Sequence, residues 1–424
     1  MDNSILFLVK DYHEKDFKHG SYNHKNRLIS QAAKANKKIY ISSWNNLIVK
    51  NNKVFITRGI IKNGGKESQI KDPVAIYPAY INTHVNPVNK TLTINNFNYE
   101  VFSYLIKHSV IKNNLMRDDV VTNKYVRYLI GKFWKKSQSS YNPHISYIGK
   151  WYLEKYLKKA EKNDIFVKRP TTILSHKADL LSNVRTAFKE WGEDLLIVKP
   201  HTGSRMEGII LLQKKSYLKD LKEIEKVDDE YFVIQKYIAN TCTYKNRKVD
   251  LRIYVGVFSW NPLVFRVYPY GLTRIASKPV SAKDVTNLDR AITTFGLLSG
   301  HLGHNITMDE YFESIKSSSK KEIWDKIHKE IDQTLKGILI GGDLPLKALK
   351  NTTYLLGFDV MLAQEKDTCV PYIIEVNHFP TLYRSKENDP TGKTNSLLDK
   401  SHHQFFKDAV DYSSIHKLPP ASYK

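Results

Sequence analysis

Four stretches of this chain read as strands that are apolar except for ionisable or amide residues at fixed positions. They are LLIVKP, ending in Lys199 and Pro200; KVDLRIYVGV, from Lys248 to Val257; LLGFDVML, around Asp359; and IIEVN, with Glu375 and Asn377. Alternate side chains of a strand share a face, so Lys248, Asp250 and Arg252 line one side of theirs. Likewise Glu375 and Asn377 share a face, with Ile374 and Val376 on the other. A solvated strand face would account for KVDLRIYVGV alone. It does not account for Asp359 and Glu375, because a carboxylate in an apolar run needs a partner. The candidates are an ion-pair cluster with Arg252, Arg274 or Lys248, and Mg²⁺, which takes one or two carboxylates and completes its shell with substrate phosphates. A buried ion-pair cluster of that size returns little stability for its desolvation, which favours the cation.

Around these strands the chain alternates in type. SILFLVK near the N-terminus reads as a strand rather than a targeting segment, since Asp2 stands where a leader carries positive charge. HKNRLISQAAKANKK and DDVVTNKYVRYLIGKFW have helical spacing, whereas DIFVKRPTTIL is extended and broken by Pro170. LLIVKP, the loop HTGSRMEG and IILLQ make a strand–loop–strand, YFVIQKYI another buried strand, and SWNP a hairpin turn. From Asp284 to about Leu349 the pattern is helical, with capping boxes at Thr307–Glu310 and Ser319–Glu322 and a core stripe of Ile323, Ile327, Ile331 and Leu335. TYLLGFDVMLAQ and PYIIEVNHF form a second hairpin, and from about Ser385 the chain is polar. A length of 424 residues suits two or three domains.

The net charge of +23 suits an anionic partner, whether nucleic acid, nucleotide, membrane surface or acidic protein. No apolar run approaches the roughly 20 residues that span a bilayer. Two cysteines, Cys242 and Cys369, are too few for a disulfide framework and point to a reducing, cytoplasmic setting. Two apparent motifs fail. Gly392-Lys393-Thr394 ends like a P-loop, but Glu387 stands where its leading glycine belongs. His301 and His304 have metal-ligand spacing without a second ligand pair. Better placed is Lys199, directly before a loop bearing Gly203 and Gly208 whose backbone N–H groups could cradle phosphate. Gln235 and Lys236, ending a buried strand, need partners as well.

In order along the chain, IVKP…GSRMEGI, VIQKYI, KVDLRIYVGV…PLVFRVYPYGLTRIASKP, DVTN, LLGFDVML and IIEVN resemble the tubulin tyrosine ligase family, within the ATP-grasp superfamily. The resemblance runs from about Leu195 to Asn377. It implies an α+β and α/β architecture: an ATP-grasp fold with a pre-ATP-grasp-like N-terminal α/β domain over 1–115, a central grasp subdomain over 116–240, a C-terminal grasp subdomain with a helical insertion over 241–384, and a polar tail over 385–424. It also implies roles. Lys199 would contact ATP phosphates, with Lys124 as an earlier ATP-contacting lysine. Gln235, Lys236 and the backbone at Ile238 would meet adenine, and Lys248, Asp250 and Asn287 the rest of the nucleotide. Arg252 and Arg274 would hold the γ-phosphate and a developing acyl phosphate, and Asp359, Glu375 and Asn377 would bind Mg²⁺. One departure is Asp284, where the family has His before Leu-Thr-Asn, which removes any role of that imidazole.

The implied activity is ATP-dependent ligation of an amino acid to a protein or peptide through an acyl phosphate. The partners would be a free amino acid and an acidic acceptor such as a tubulin-like tail, with no membrane or nucleic acid. Two alternatives remain: a glutathione-synthetase-like ligase for small molecules or peptides, and a basic binding protein with a vestigial site.

Overall fold

The computed structural model describes the backbone of nine N-terminal strands, then residues 149–201, 208–227, 229–260, 262–281, 293, 305–342, 354–377, 380, 396–402, 404–405 and 407–408. The N-terminal strands are β1 (Ser4–Val9), β2 (Lys38–Ser43), β3 (Leu47–Lys50), β4 (Lys53–Ile56), β5 (Gly59–Lys62), β6 (Gln69–Ile70), β7 (Ala75–Tyr77), β8 (Asn82–Val85) and β9 (Leu92–Asn95). Four of them form a sheet in the order β5-β2-β1-β7, with β1 parallel to both β2 and β7. Parallel neighbours need long crossovers, so this pairing suits the α/β character read from the sequence. The two helices expected between Asn23 and Trp134 lie outside the described residues.

A four-stranded antiparallel sheet follows, built from β10 (Thr172–His176), β11 (Leu195–Pro200), β12 (Ile210–Gln213) and β13 (Tyr231–Lys236) in the order β10-β13-β11-β12. Two helices cover one face: α2 (Leu180–Trp191) and α3 (Tyr217–Glu225), which follow α1 (Lys150–Ala160) in the chain. Leu180, Val184, Ala187 and Phe188 recur at helical spacing and pack with Leu221 and Ile224 on Leu196, Val198, Leu212, Phe232 and Ile234. Strand alternation therefore turns Ile197, Lys199 and Gln235 to the opposite face.

The second sheet joins β14 (Val249–Trp260), β15 (Leu263–Val267), β16 (Leu272–Ile275), β17 (Asn305–Ile306), β18 (Tyr354–Glu365) and β19 (Thr368–Asn377). Its order is β17-β16-β14-β18-β19, with β15 also on β14. Both expected hairpins form, β14–β15 and β18–β19, and Asn261 of the first turn lies outside the described residues. Behind the sheet lie α4 (Met308–Ser314) and α5 (Lys320–Gly341), each begun by the capping box read from the sequence, on Thr307 and Ser319. Ile323, Ile327, Ile331 and Leu335 are fully buried against Val249, Leu251, Ile253 and Val255 of β14. Helix α1 lies close on α5: a Cβ on Gly341 would collide with the backbone carbonyl of Tyr156.

Of the two readings of the charged β14 face, the solvated one does not hold, since Lys248 and Asp250 are buried. Two other features differ from the sequence reading. A β-bulge between Asp359 and Val360 pairs Asp359 with Glu375 but Val360 with Ile373. It leaves Ile374 unpaired and turns it with Glu375 toward the cleft, whereas strict alternation had put Ile374 on the other face. In the polar C-terminal region, residues 396–402 are helical, and Leu398, His402, Phe405 and Asp408 are buried. Asp408 accepts from Arg266 Nη1 at 2.8 Å and from Tyr268 Oη at 2.9 Å, and His402 packs edge-on to Tyr254. Leu398 and Phe405, seven residues apart and so on one helical face with His402 between them, supply the apolar contacts by which so polar a segment docks.

Cys242 and Cys369, 127 residues apart, are joined in a disulfide with Cα atoms 6.5 Å apart. The segment after β13 runs beside β18, with Cys242 N–H donating to Leu362 O, while Cys369 pairs with Gln364 across the hairpin. That proximity, invisible in a count of two, removes the ground on which a reducing compartment was inferred. No helix among the described residues is long and apolar enough to cross a membrane.

Candidate active site

The inner faces of the two sheets meet at a cleft of about 680 Å³, measured out to its mouth. One wall carries Ile197, Lys199, Gln235, Lys236, Tyr237 and Ile238; the other carries Lys248, Asp250, Asp359, Met361, Ile374 and Glu375, with Pro170 at the junction. Of the predicted site residues among these, Lys199, Gln235, Asp250 and Asp359 stand within strands, Lys236 ends its strand, Glu375 lies beside the bulge, and Ile238 and Lys248 lie just outside their strands. Pro170, Ile197, Met361 and Ile374 supply an apolar part of the lining, of the kind that accepts a ring. The rest of the lining is highly charged.

Its charges form a ladder fixed by register. Asp250 stands opposite Arg274 across β14–β16, Arg252 opposite Asp359 across β14–β18, and Asp359 opposite Glu375 across β18–β19. Arg274 grips Asp250 with both Nε and Nη2, at 2.7 and 2.5 Å. Arg252 grips Asp359 in the same forked manner, Nη2 to Oδ2 at 2.9 Å, and Arg274 Nη2 adds a 3.1 Å contact to Oδ2. Burial pushes the Asp359 carboxyl upward, but the two guanidiniums reverse this and hold it at about 2. Asn377 completes the row, its amide donating to Glu375 Oε1 at 3.2 Å and accepting from Arg252 Nη2 at 3.1 Å. Gly357 makes room for this packing, since a Cβ there would lie 2.8 Å from Arg252 Cδ.

The lysines behave differently. Lys199 is buried and donates to Gln235 Oε1 at 2.7 Å. Burial lowers it to about 8, against the attraction of Glu375, Glu154 and Asp359. Lys248 donates to Ile238 O at 2.8 Å and sits 3.7 Å over the Tyr237 ring. Burial lowers it to about 7, with Asp250 opposing and Lys199 reinforcing the shift. Burial thus destabilises the charged form of both lysines, and an anionic ligand placed beside them would relieve that cost and raise both again.

The oxygen donors fit a hard cation. No cluster of three or more His, Cys, Asp or Glu side chains suited to a metal occurs among the described residues, so an all-protein cage is absent there. Two carboxylates and an amide oxygen, open to a cleft that can take phosphates, match Mg²⁺. Oδ1 of Asp359 accepts from Arg252 Nε alone among described donors, and so keeps one lone pair. Glu375 is the more available, its ion pair with Lys150 being a long 3.9 Å. The two readings of Asp359, ion pair and metal ligand, are thus compatible.

Of the other predicted residues, Lys236 lines the cleft while its ammonium pairs with Glu193. Lys124, Asn287, Asp284 and the loop 202–207 lie outside the described residues, as do His301 and His304. Sequence reasoning missed Lys150, Glu154, Thr293 and the apolar wall. Glu154 was detectable, because it interrupts the Leu153, Tyr156, Leu157, Ala160 stripe of α1 with a carboxylate.

The family model described as "Tubulin-tyrosine ligase family" matches residues 146–401. A human protein described as "Probable tubulin polyglutamylase TTLL2" is 29% identical over 199 residues, covering 44% of this chain and 31% of that protein. Tubulin glycylase 3D of Tetrahymena thermophila is 27% identical over 244 residues, 54% of this chain and 22% of that protein. Human tubulin monoglutamylase TTLL4 is 27% identical over 247 residues, 54% and 19% respectively. The chain thus spans about a fifth to a third of the length of these relatives. Among solved structures, the C-terminal domain of K. lactis Pby1, described as an ATP-grasp enzyme interacting with the mRNA decapping enzyme Dcp2, superposes with a TM-score of 0.49 at 17% identity, covering 98% of this chain and 95% of that one.

Proposed function

The chain belongs to the tubulin-tyrosine ligase family, and from that premise we propose that it is an ATP-dependent ligase that joins an amino acid to a protein or peptide acceptor. One observation carries the proposal: a single cleft is lined by the desolvated lysines Lys199 and Lys248 and by Asp250, Asp359 and Glu375, with the guanidiniums of Arg252 and Arg274 and the amide of Asn377 bonded directly to those carboxylates. A pocket that merely stores ATP needs the first pair; the last two sets suit phosphoryl transfer.

A carboxylate is a poor electrophile, so amide formation needs it activated. In the proposed reaction a carboxylate oxygen of one substrate attacks the γ-phosphorus of ATP, ADP leaves, and an acyl phosphate results. The amine of the second substrate, having lost a proton, then attacks the acyl carbon, and the C–O bond to phosphate breaks. The protein contributes positioning and charge rather than covalent chemistry. Lys199 and Lys248 hold phosphate oxygens, while Arg252 and Arg274, whose Nε and Nη2 groups are taken by carboxylates, offer Nη1 and their positive charge to the transferred group. Asp250 and Asp359 keep those guanidiniums fixed before substrate arrives. Glu375, Asn377 and the free lone pair of Asp359 would hold Mg²⁺, which supplies positive charge beside the phosphates when bound.

The acceptor proposed is an acidic protein segment of the tubulin-tail kind, consistent with the net charge of +23 and with the substrates named for the relatives. Incubation with ATP, Mg²⁺, glutamate or glycine and acidic tail peptides, followed by mass spectrometry, tests the proposal. A mass increase of one residue that disappears in Glu375→Gln is expected. Product formed equally well by Glu375→Gln would refute the metal assignment, and a wild-type protein that binds Mg-ATP yet modifies nothing would favour a non-catalytic role.

A further inference from the structure

The polar network behind the cleft wall holds a buried carboxylate that the reaction does not use. Glu154 of α1 is only 4% exposed. One of its oxygens accepts from Arg169 Nε at 3.0 Å and the other from Gln235 Nε2 at 3.3 Å. Arg169 is itself anchored to Glu161 at 2.6 Å and to Val167 O. The second Nε2 hydrogen of Gln235 goes to Thr172 Oγ1 at 3.1 Å. That hydroxyl has spent its own hydrogen on Pro170 O at 2.8 Å, so it can only accept. On its other side Gln235 Oε1 accepts from Lys199, which has no lone pair to offer.

The orientation of this amide is therefore forced from both ends. An ionised carboxylate and a committed hydroxyl accept from its nitrogen, and an ammonium donates to its oxygen. Both amide hydrogens are consumed. What Gln235 can show the cleft is the second lone pair of Oε1, an acceptor. Adenine carries an exocyclic amine that donates, whereas guanine carries a carbonyl at that position that would face Oε1 acceptor to acceptor.

We propose that Glu154 is a positioning residue for nucleotide specificity: it locks Gln235 as an acceptor and so favours a base with an exocyclic amine over one with an exocyclic carbonyl. The inference rests on the reading of the cleft as a nucleotide site. A glutamine at position 154 has a single oxygen for two donors, Arg169 and Gln235, so Glu154→Gln sets one donor against an NH₂ group. The lock on Gln235 then fails although the side chain keeps its shape.

The test is calorimetric titration with the non-hydrolysable imido analogues of ATP and GTP in the presence of Mg²⁺, on wild type, Glu154→Gln and Thr172→Val. Wild type should prefer the adenine analogue, and each variant should narrow that preference, Glu154→Gln by about 10-fold, the usual worth of one misplaced buried hydrogen bond. A purely structural role for Glu154 would lower stability and weaken both analogues alike, so an unchanged ratio overturns the proposal. If Glu154→Gln does not fold, Glu154→Gln/Arg169→Met, which removes both charges, and Thr172→Val carry the same comparison. A folded wild type that binds neither analogue would overturn the nucleotide reading itself, and this inference with it. A wild type that binds both equally overturns the specificity claim alone.

Discussion

Replacing Arg252 by glutamine separates the two roles given to the charge ladder. In the native site three carboxylates, Asp250, Asp359 and Glu375, face two guanidiniums, Arg252 and Arg274. Removing one guanidinium leaves Asp359 with the 3.1 Å contact from Arg274 and takes an acceptor contact from Asn377. Breaking a buried pair in this way costs about 3–5 kcal/mol, because the remaining charge is uncompensated. At about 2–4 °C per kcal/mol for a unit of this size, Tm should fall by roughly 10 °C. The pair also makes stability depend on acid. Asp359 is held at about 2 in the fold against an ordinary 3.8, so its contribution is present above pH 4 and is lost as pH falls toward 2. That shift is worth roughly 2 kcal/mol, and in the variant the acid loss should shrink. At the same time the site becomes more negative, so the Mg²⁺-induced rise in Tm should be larger in the variant than in wild type. Ligation should fall by at least about 100-fold, the scale of losing one preorganised charge in the transition state, while affinity for the ATP analogue changes only a few-fold. Differential scanning fluorimetry with and without Mg²⁺, urea titrations from pH 3 to pH 7 and a mass-spectrometric rate assay read all of this. A Tm within about 2 °C of wild type, with unchanged acid and Mg²⁺ responses, would refute the reasoning.

Further outcomes follow from the same geometry. Lys248 and Lys199 titrate at about 7 and about 8 rather than 10.5. A depressed lysine means that the unfolded chain binds more protons, so its stability cost fades as pH rises through that window. The stability gap between Lys248→Met and wild type should therefore narrow from pH 7 to pH 10, while affinity for the ATP analogue weakens above pH 8 as the lysines lose charge. Gly357→Ala places a Cβ 2.8 Å from Arg252 Cδ and 2.7 Å from Pro380 Cβ, and should cost about 1–3 kcal/mol by urea titration while suppressing ligation through a displaced Arg252. Dithiothreitol, opening a bridge between residues 127 apart, should lower stability by about 2–4 kcal/mol in wild type and leave Cys242→Ser unaffected. Ile331→Ala, at a fully buried point of α5, should cost about 2–5 kcal/mol in the same assay with the nucleotide preference intact.

Much of this protein is local in its physics, and that part the sequence determined by itself. Period-two placement located the strands and put Asp250 and Arg252 on one face of β14, with Lys248 just ahead of it, without saying whether that face met solvent. Capping boxes fixed the starts of α4 and α5, and period-3.6 spacing put Ile323, Ile327, Ile331 and Leu335 in the core. Charges in apolar runs announced a site because the cost of burying them does not depend on which fold buries them. Tertiary structure decided which charges meet, since cross-strand register is a non-local choice. Nothing in the segment around Asp359 states that Arg252 will be its partner, or that a bulge will bring Ile374 into the cleft. The two cysteines came together for the same reason, through strands paired far apart in the chain. So did Glu154, whose carboxylate in a helix stripe was a local anomaly that acquired meaning once α1 lay against β13. Sequence says which groups must be satisfied; only packing says by whom.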